Sequence, residues 1–266
     1  MISDTNARLV AARRLTRRQV RRETGRFLAE GVPAVREALG RAEVVVSIFA
    51  TAEAIERNAE LVDAARAQGL RVDEISVRAS AALSETVRPQ GLVAVCRKVD
   101  VPLRTALATE PALVGVLVDA NDPGNAGTIL RTADAAGAKA MIFAGDSVDF
   151  YNGKVVRASA GSIFHLDVVI DVSAEDAIIS ARSAGCVVLA ATGGGADDLD
   201  DLVSGAALAK PTAWLFGNEA NGLPHHVIES ADRSVRVPIY GDAESLNVAA
   251  AAALCLYASA RAHVSH

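Results

Sequence analysis

Beyond residue 112 the chain breaks into short apolar runs of strand type, near 113–118, 140–144, 166–170, 186–191, 212–217 and 234–237, with helical stretches between most of them. That alternation is the pattern of a doubly wound α/β domain with a mostly parallel sheet. Three of the runs end in, or lead to, small polar turns: Asn121-Asp122-Pro123-Gly124-Asn125-Ala126-Gly127, then Gly217-Asn218-Glu219-Ala220-Asn221-Gly222-Leu223, then Glu244-Ser245-Leu246-Asn247. In such a fold the turns at the carboxyl ends of strands form the ligand crevice, and small residues there let a ligand approach the backbone. Function is to be sought in these turns.

The first 100 residues follow a similar rhythm. Glu43–Phe49 reads as strand, Ala52–Ala67 as helix, and Leu70–Ile75 and Gly91–Arg97 as strands, implying a small parallel or mixed sheet with helices. The stretch from Val101 to Pro111 reads as a linker, which divides the 266 residues into two domains, 1–105 and 112–266. No internal repeat interrupts either part.

Ala7–Arg22 lacks Gly and Pro and is predicted to be one helix, on which Arg14, Arg17, Arg18, Arg21 and Arg22 fall at i, i+3, i+4, i+7 and i+8. Five like charges on one stripe repel and call for a counter-charge, so phosphate contact is the reading adopted over a solvated face or an organelle presequence. The net charge of −5 is compatible with this, because residues 1–30 carry eight arginines against Asp4, Glu23 and Glu30. That is +5 locally and −10 over the rest. Such asymmetry is the footprint of a nucleic-acid-binding arm on an acidic enzyme.

Other classes fall away. The longest apolar run, Val248–Ala260, is Ala-rich and shorter than the roughly 20 residues a membrane span needs. Cys96, Cys186 and Cys255 lie far apart in apolar segments, as buried thiols of a reducing compartment do, and the chain is expected to be cytoplasmic. His225-His226 lacks metal-ligand spacing, so no metal is expected. Gly193-Gly194-Gly195 is not GxGxxG and precedes Asp197, Asp198, Asp200 and Asp201, whose charge would repel a pyrophosphate; a Rossmann oxidoreductase is disfavoured.

The three turns, in this order, resemble the three motifs of the SpoU branch of the SPOUT methyltransferases. The first motif is matched at Asn125, Gly127 and Arg131, the second at Gly217, Asn218, Glu219, Gly222 and Leu223, and the third at Pro238 and Ser245-Leu246-Asn247-Val248. The match extends over about residues 112 to 262. Residues 13–31, ending Glu23-Thr24-Gly25-Arg26-Phe27-Leu28-Ala29-Glu30-Gly31, are similar to the RNA-binding front domain of many such enzymes. The resemblance implies an α/β fold: a SPOUT α/β-knot catalytic domain with a trefoil-knotted, mostly parallel sheet, preceded by a small α/β ribosomal-protein-like RNA-binding domain. It implies S-adenosyl-L-methionine-dependent methylation of a ribose 2′-hydroxyl in structured RNA. Ribosomal RNA is favoured over transfer RNA, and a homodimer is expected. A non-catalytic RNA-binding or ribosome-assembly factor on the same fold is the alternative from another class.

Carried onto this chain, the motifs make Arg131 the residue that holds phosphate and hydroxyl and stabilises developing alkoxide charge, since an arginine is too weak an acid to serve as an ordinary base. Asn125, Glu219, Ser245 and Asn247 join it in the catalytic pocket. Read without the motifs, Arg131 is a surface helix arginine, Asn125, Ser245 and Asn247 are helix caps and Glu219 is a turn residue. By position, Thr192, Gly193, Gly217, Val237, Ile239 and Leu246 are expected to bind the cofactor, largely through backbone groups. Lys154 and Arg157 fall where the family carries basic residues near bound RNA.

Overall fold

Two helices, Ala7–Arg14 and Arg18–Thr24, stand where the sequence predicts one, in a computed structural model that describes residues 1–264. The break has a local cause. Leu15 turns into the core, the Thr16 hydroxyl donates to the Arg13 carbonyl, and Arg17 is extended at φ −92°, ψ 128°. A side chain that bonds its own backbone offers the chain an alternative to helix. The carbonyls so released at Leu15 and Thr16 accept from the Arg21 guanidinium at 2.8 and 2.7 Å, and Arg21 is only 4% exposed.

The first compact unit comprises Met1–Val99 together with Tyr151–His165. Its sheet contains β1 (Arg26–Glu30), β2 (Val45–Ala50), β3 (Val72–Glu74) and β4 (Leu92–Arg97), ordered β1-β4-β2-β3. β4 is antiparallel to both β1 and β2, whereas β2 and β3 are parallel, so the sheet is mixed. The helix expected over Ala52–Ala67 is interrupted at Asn58. Segment 151–165 is built into this unit. Its Tyr151 and Phe164 rings lie 4.6 and 6.1 Å from that of Phe27, and the Tyr151 hydroxyl accepts from the Val99 amide. Arg157 pairs with buried Glu30 at 3.0 Å.

The second unit comprises Asp100–Phe150 and the chain from Leu166 onward. Its strands are β5 (Leu113–Val118), β6 (Ala140–Ala144), β7 (Asp167–Val172), β8 (Val187–Ala191), β9 (Asp197–Asp198), β10 (Thr212–Phe216) and β11 (Arg233–Arg236). They are ordered β7-β6-β5-β10-β8-β11-β9, and every recorded pairing is parallel. Six of the seven agree with the apolar runs within two residues. The acidic β9 carries no apolar signal, since its two residues merely pair with the end of β11. The Ala-rich helix Val248–Val264 docks through Ser259, whose hydroxyl meets Thr212 Oγ1 at 3.0 Å and accepts from Trp214 Nε1 at 2.9 Å. The thiols are free and buried; burial pushes Cys186 up to about 11 and Cys255 to about 12, so both stay protonated at neutral pH.

Candidate active site

Parallel register explains why distant turns meet. β10 pairs with β5 from Thr212↔Leu113 to Phe216↔Leu117 and with β8 from Thr212↔Val187 to Leu215↔Ala190, so all three strands end on the same edge. The turns after residues 118, 191 and 216 are therefore neighbours, as expected at the carboxyl edge of a parallel sheet.

The turn after β10 is narrow. Asn218 and Gly222 exchange backbone hydrogen bonds at 3.0 and 2.9 Å, and a Cβ on Gly217 would lie 2.3 Å from the Gly222 carbonyl carbon and 2.4 Å from the Leu223 nitrogen. Only glycine fits there. Asn218 organises both sides: its Oδ1 accepts from the Ala220 and Asn221 amides at 2.9 and 3.1 Å, and its Nδ2 donates 2.8 Å to the carbonyl of Asp119. Asp119 itself has φ 52°, a conformation that Asp tolerates better than most residues.

Glu219 projects from this turn onto the first one. One of its oxygens accepts from the Asn121 amide, the other from the Asp122 amide, each at 3.1 Å, and Asn125 Nδ2 donates to the latter at 3.3 Å. Asn247 Nδ2 in turn donates to Asn125 Oδ1 at 3.2 Å. The three motifs are thus joined in one network through Glu219, Asn125 and Asn247. One cap expectation is corrected and the other is narrowed to one residue. Asp122, followed by Pro123 at the first helical position, caps the helix Pro123–Ala135 by accepting from the Asn125 amide at 2.7 Å. The Asn247 side chain, not Ser245, receives the Ala249 amide at 2.9 Å at the start of the last helix.

A cavity of about 650 Å³ opens beside this network. Thr192, Gly193, Gly217, Val237, Ile239 and Leu246, the six residues expected around a cofactor, all line it, as do Glu219 and Ser245. Asn125, Arg131 and Asn247 do not. Arg131 is exposed two turns into the helix Pro123–Ala135, outside the Glu219–Asn125–Asn247 network. Sequence reasoning gave no individual role to Asn218, which it placed only within the second motif, or to Phe216, Asp198 and Tyr240; all four are cavity walls. The Asn in a Gly-Asn-Glu turn directly after a strand was the one readable signal among them.

The basic residues lie in the first unit. Arg14, Arg17, Arg18 and Arg22 are exposed, but the broken helix means that they do not form the single stripe expected, and Arg21 is turned inward onto the carbonyls of the break. Lys154 is exposed and Arg157 is engaged by Glu30.

The sequence model of the SpoU rRNA Methylase family matches residues 112–257, and that of an MRM3-like substrate binding domain matches residues 6–94. The chain is 33% identical over 262 residues to the 23S rRNA (guanosine(2553)-2′-O)-methyltransferase RlmP of Bacillus subtilis, covering 96% of each protein. Among solved structures it is similar to an AdoMet-bound rRNA methyltransferase from Sinorhizobium meliloti, with a TM-score of 0.82 and 31% identity over 98% of this chain and 97% of that one. It is also similar to the SpoU methyltransferase AviRb from Streptomyces viridochromogenes in complex with AdoMet, with a TM-score of 0.80 and 29% identity over 98% and 99%.

Proposed function

Because the chain belongs to the SpoU rRNA methylase family, we propose that it is an S-adenosylmethionine-dependent RNA methyltransferase that methylates a ribose 2′-hydroxyl of ribosomal RNA. The observation that carries this reading is the convergence of all three motif turns on one cavity edge, joined by the Glu219–Asn125–Asn247 network.

The cavity suits the cofactor. Its walls combine backbone at Thr192, Gly193 and Gly217, apolar surface at Phe216, Val237 and Leu246, and the carboxylates of Asp198, Glu219 and Glu244 against the single guanidinium of Arg236. An acid-lined apolar pocket accepts a sulfonium and an adenosine better than a pyrophosphate. When bound, S-adenosylmethionine supplies an electrophilic methyl group. This chain's task is to position the ribose hydroxyl and favour loss of its proton, because a hydroxyl is a poor nucleophile at neutral pH. Arg131 holds the phosphate and hydroxyl with its planar fork. Glu219, with both oxygens on donors from the first turn, fixes that turn and so the helix that carries Arg131. Ser245 stands in the cavity wall, and Asn125 and Asn247 brace its edge through the Glu219 network.

In the same reading residues 1–105 serve as the RNA-binding domain and 112–266 as the methyltransferase domain, with a trefoil knot, a homodimeric assembly and a cytoplasmic location. Mapping 2′-O-methyl positions in ribosomal RNA from cells with and without the gene tests the function. Loss of one position is expected; an unchanged ribosomal RNA map with a lost transfer-RNA position would redirect the substrate, and no lost position in either RNA would sink the reading.

Arg14, Arg17 and Arg18 are the exposed arginines flanking the helix break. Changing all three to Gln is expected to flatten the salt dependence of RNA binding, each lost phosphate contact removing roughly 0.7 to 0.9 from the log–log slope. Specific and non-specific RNA should weaken alike. An unaltered slope in filter-binding titrations would assign these side chains to solvent.

A further inference from the structure

Beyond Arg236 the chain leaves the sheet. The β11–β9 ladder ends at Arg236↔Asp198, reinforced by an Arg236–Asp198 ion pair at 3.3 Å and by Arg236 Nη1 donating to the Gly195 carbonyl at 3.2 Å. From there to Asn247 the backbone has no regular structure, and Ile239 to Asn247 is exposed throughout. Yet this segment supplies Val237, Pro238, Ile239, Tyr240, Glu244, Ser245 and Leu246, a large share of the cavity wall. Its far end is held by Asn247, which bonds Asn125 and caps the last helix. Between Pro238 and Leu246, among the described residues, one tie remains: the Tyr240 hydroxyl donates to Asp200 Oδ2.

Asp200 lies on the opposite rim. It lies in the first turn of the helix Leu199–Ser204, whose N-cap Asp198 is itself a cavity wall, and Asp198 Oδ1 accepts the Asp200 amide at 3.1 Å. The Tyr240–Asp200 bond therefore runs from the irregular wall to the rim of regular structure. Tyr240 is 87% exposed, so its ring packs little and the hydroxyl is its principal attachment. The hydrogen bond to Asp200 pushes the phenol up, which keeps the proton on Tyr240 and the donor in place at neutral pH.

Resting on the cofactor site proposed above, we infer that Tyr240 and Asp200 are a positioning pair that latches segment 237–247 as the outer wall of the adenosylmethionine cavity and sets how fast cofactor and spent cofactor leave. Neither residue takes part in methyl transfer. Their effect is transmitted through Ile239 and Leu246, which contact the ligand space.

Tyr240→Phe keeps the ring and removes only the latch. In stopped-flow measurements with S-adenosylmethionine and S-adenosylhomocysteine, dissociation of each is expected to rise about threefold to tenfold, the range for loss of a hydrogen bond to a charged acceptor at an exposed site. Asp200→Ala should do the same, and the double variant should be no faster than either single one, because both remove one bond. In the ligand-free protein, amide hydrogen exchange over residues 239–247 should accelerate in Tyr240→Phe and not elsewhere. Unchanged dissociation in Tyr240→Phe, or additive effects in the double variant, overturns the latch. Failure of wild-type protein to bind either ligand overturns instead the cofactor site on which the latch rests.

Discussion

Replacing Arg131 by lysine is expected to lower methyl transfer by roughly 100-fold or more, the scale on which one preorganised transition-state donor acts. Lysine keeps the positive charge but is a single point donor on a flexible stem. It cannot hold a phosphate oxygen and a ribose hydroxyl at once, as a planar fork of five N–H groups does. Arg131 stands apart from the cavity walls and from the Glu219–Asn125–Asn247 network. Its neighbours Ile129, Leu130 and Ala133 face the core while it is exposed. S-adenosylmethionine affinity and thermal stability should therefore be nearly unchanged. Single-turnover methylation and calorimetric titration of the same preparation check this; turnover close to wild type would remove Arg131 from the chemistry.

Gly217→Val is expected to do the opposite, destroying cofactor binding along with part of the fold. The added Cβ would collide with the Gly222 carbonyl carbon and the Leu223 nitrogen at 2.3 and 2.4 Å. Those are backbone atoms closed into the Asn218–Gly222 pair, so no rotamer change relieves the clash. Opening that turn withdraws Glu219 from the Asn121 and Asp122 amides as well. Overpacking and lost partners together should cost about 3 kcal/mol of stability. S-adenosylmethionine affinity should fall by at least tenfold. Leu246→Asp separates the two effects: Leu246 lines the cavity at 38% exposure, so its substitution should weaken the cofactor without lowering the melting temperature appreciably. Normal affinity in both variants would mean that the pocket lies elsewhere.

Much of the second unit was legible because its central strands are continuous buried runs: β5, β6 and β10 are buried at every position. Such runs leave little ambiguity about where a parallel strand begins and ends. The cavity residues were legible for a related reason, since turns leaving adjacent parallel strands must share an edge. The helix break at Leu15–Arg17 was hidden because its cause is the burial of Leu15 and the later Arg21, neither of which alters local helical periodicity. The cap of the helix Pro123–Ala135 was misjudged where two polar residues competed: Asp122 precedes a proline, and that signal outweighs Asn125 three residues later. The Arg157–Glu30 pair was hidden because nothing near Arg157 in sequence announces Glu30, 127 residues away.

The segment Tyr151–His165, structurally part of the first unit, sets a schedule for synthesis. A growing chain emerges at about 5–20 residues per second, so the 66 residues separating Val99 from His165 take about 3 to 13 s to add. Until Tyr151, Arg157 and Phe164 are made in turn within that interval, Phe27 lacks its two ring partners and Glu30 lacks its guanidinium. By the time these arrive, β5 and β6 have already been made. The first unit is therefore begun before the second and completed only after part of the second has been made, and in between its face around Phe27 and Glu30 stays open.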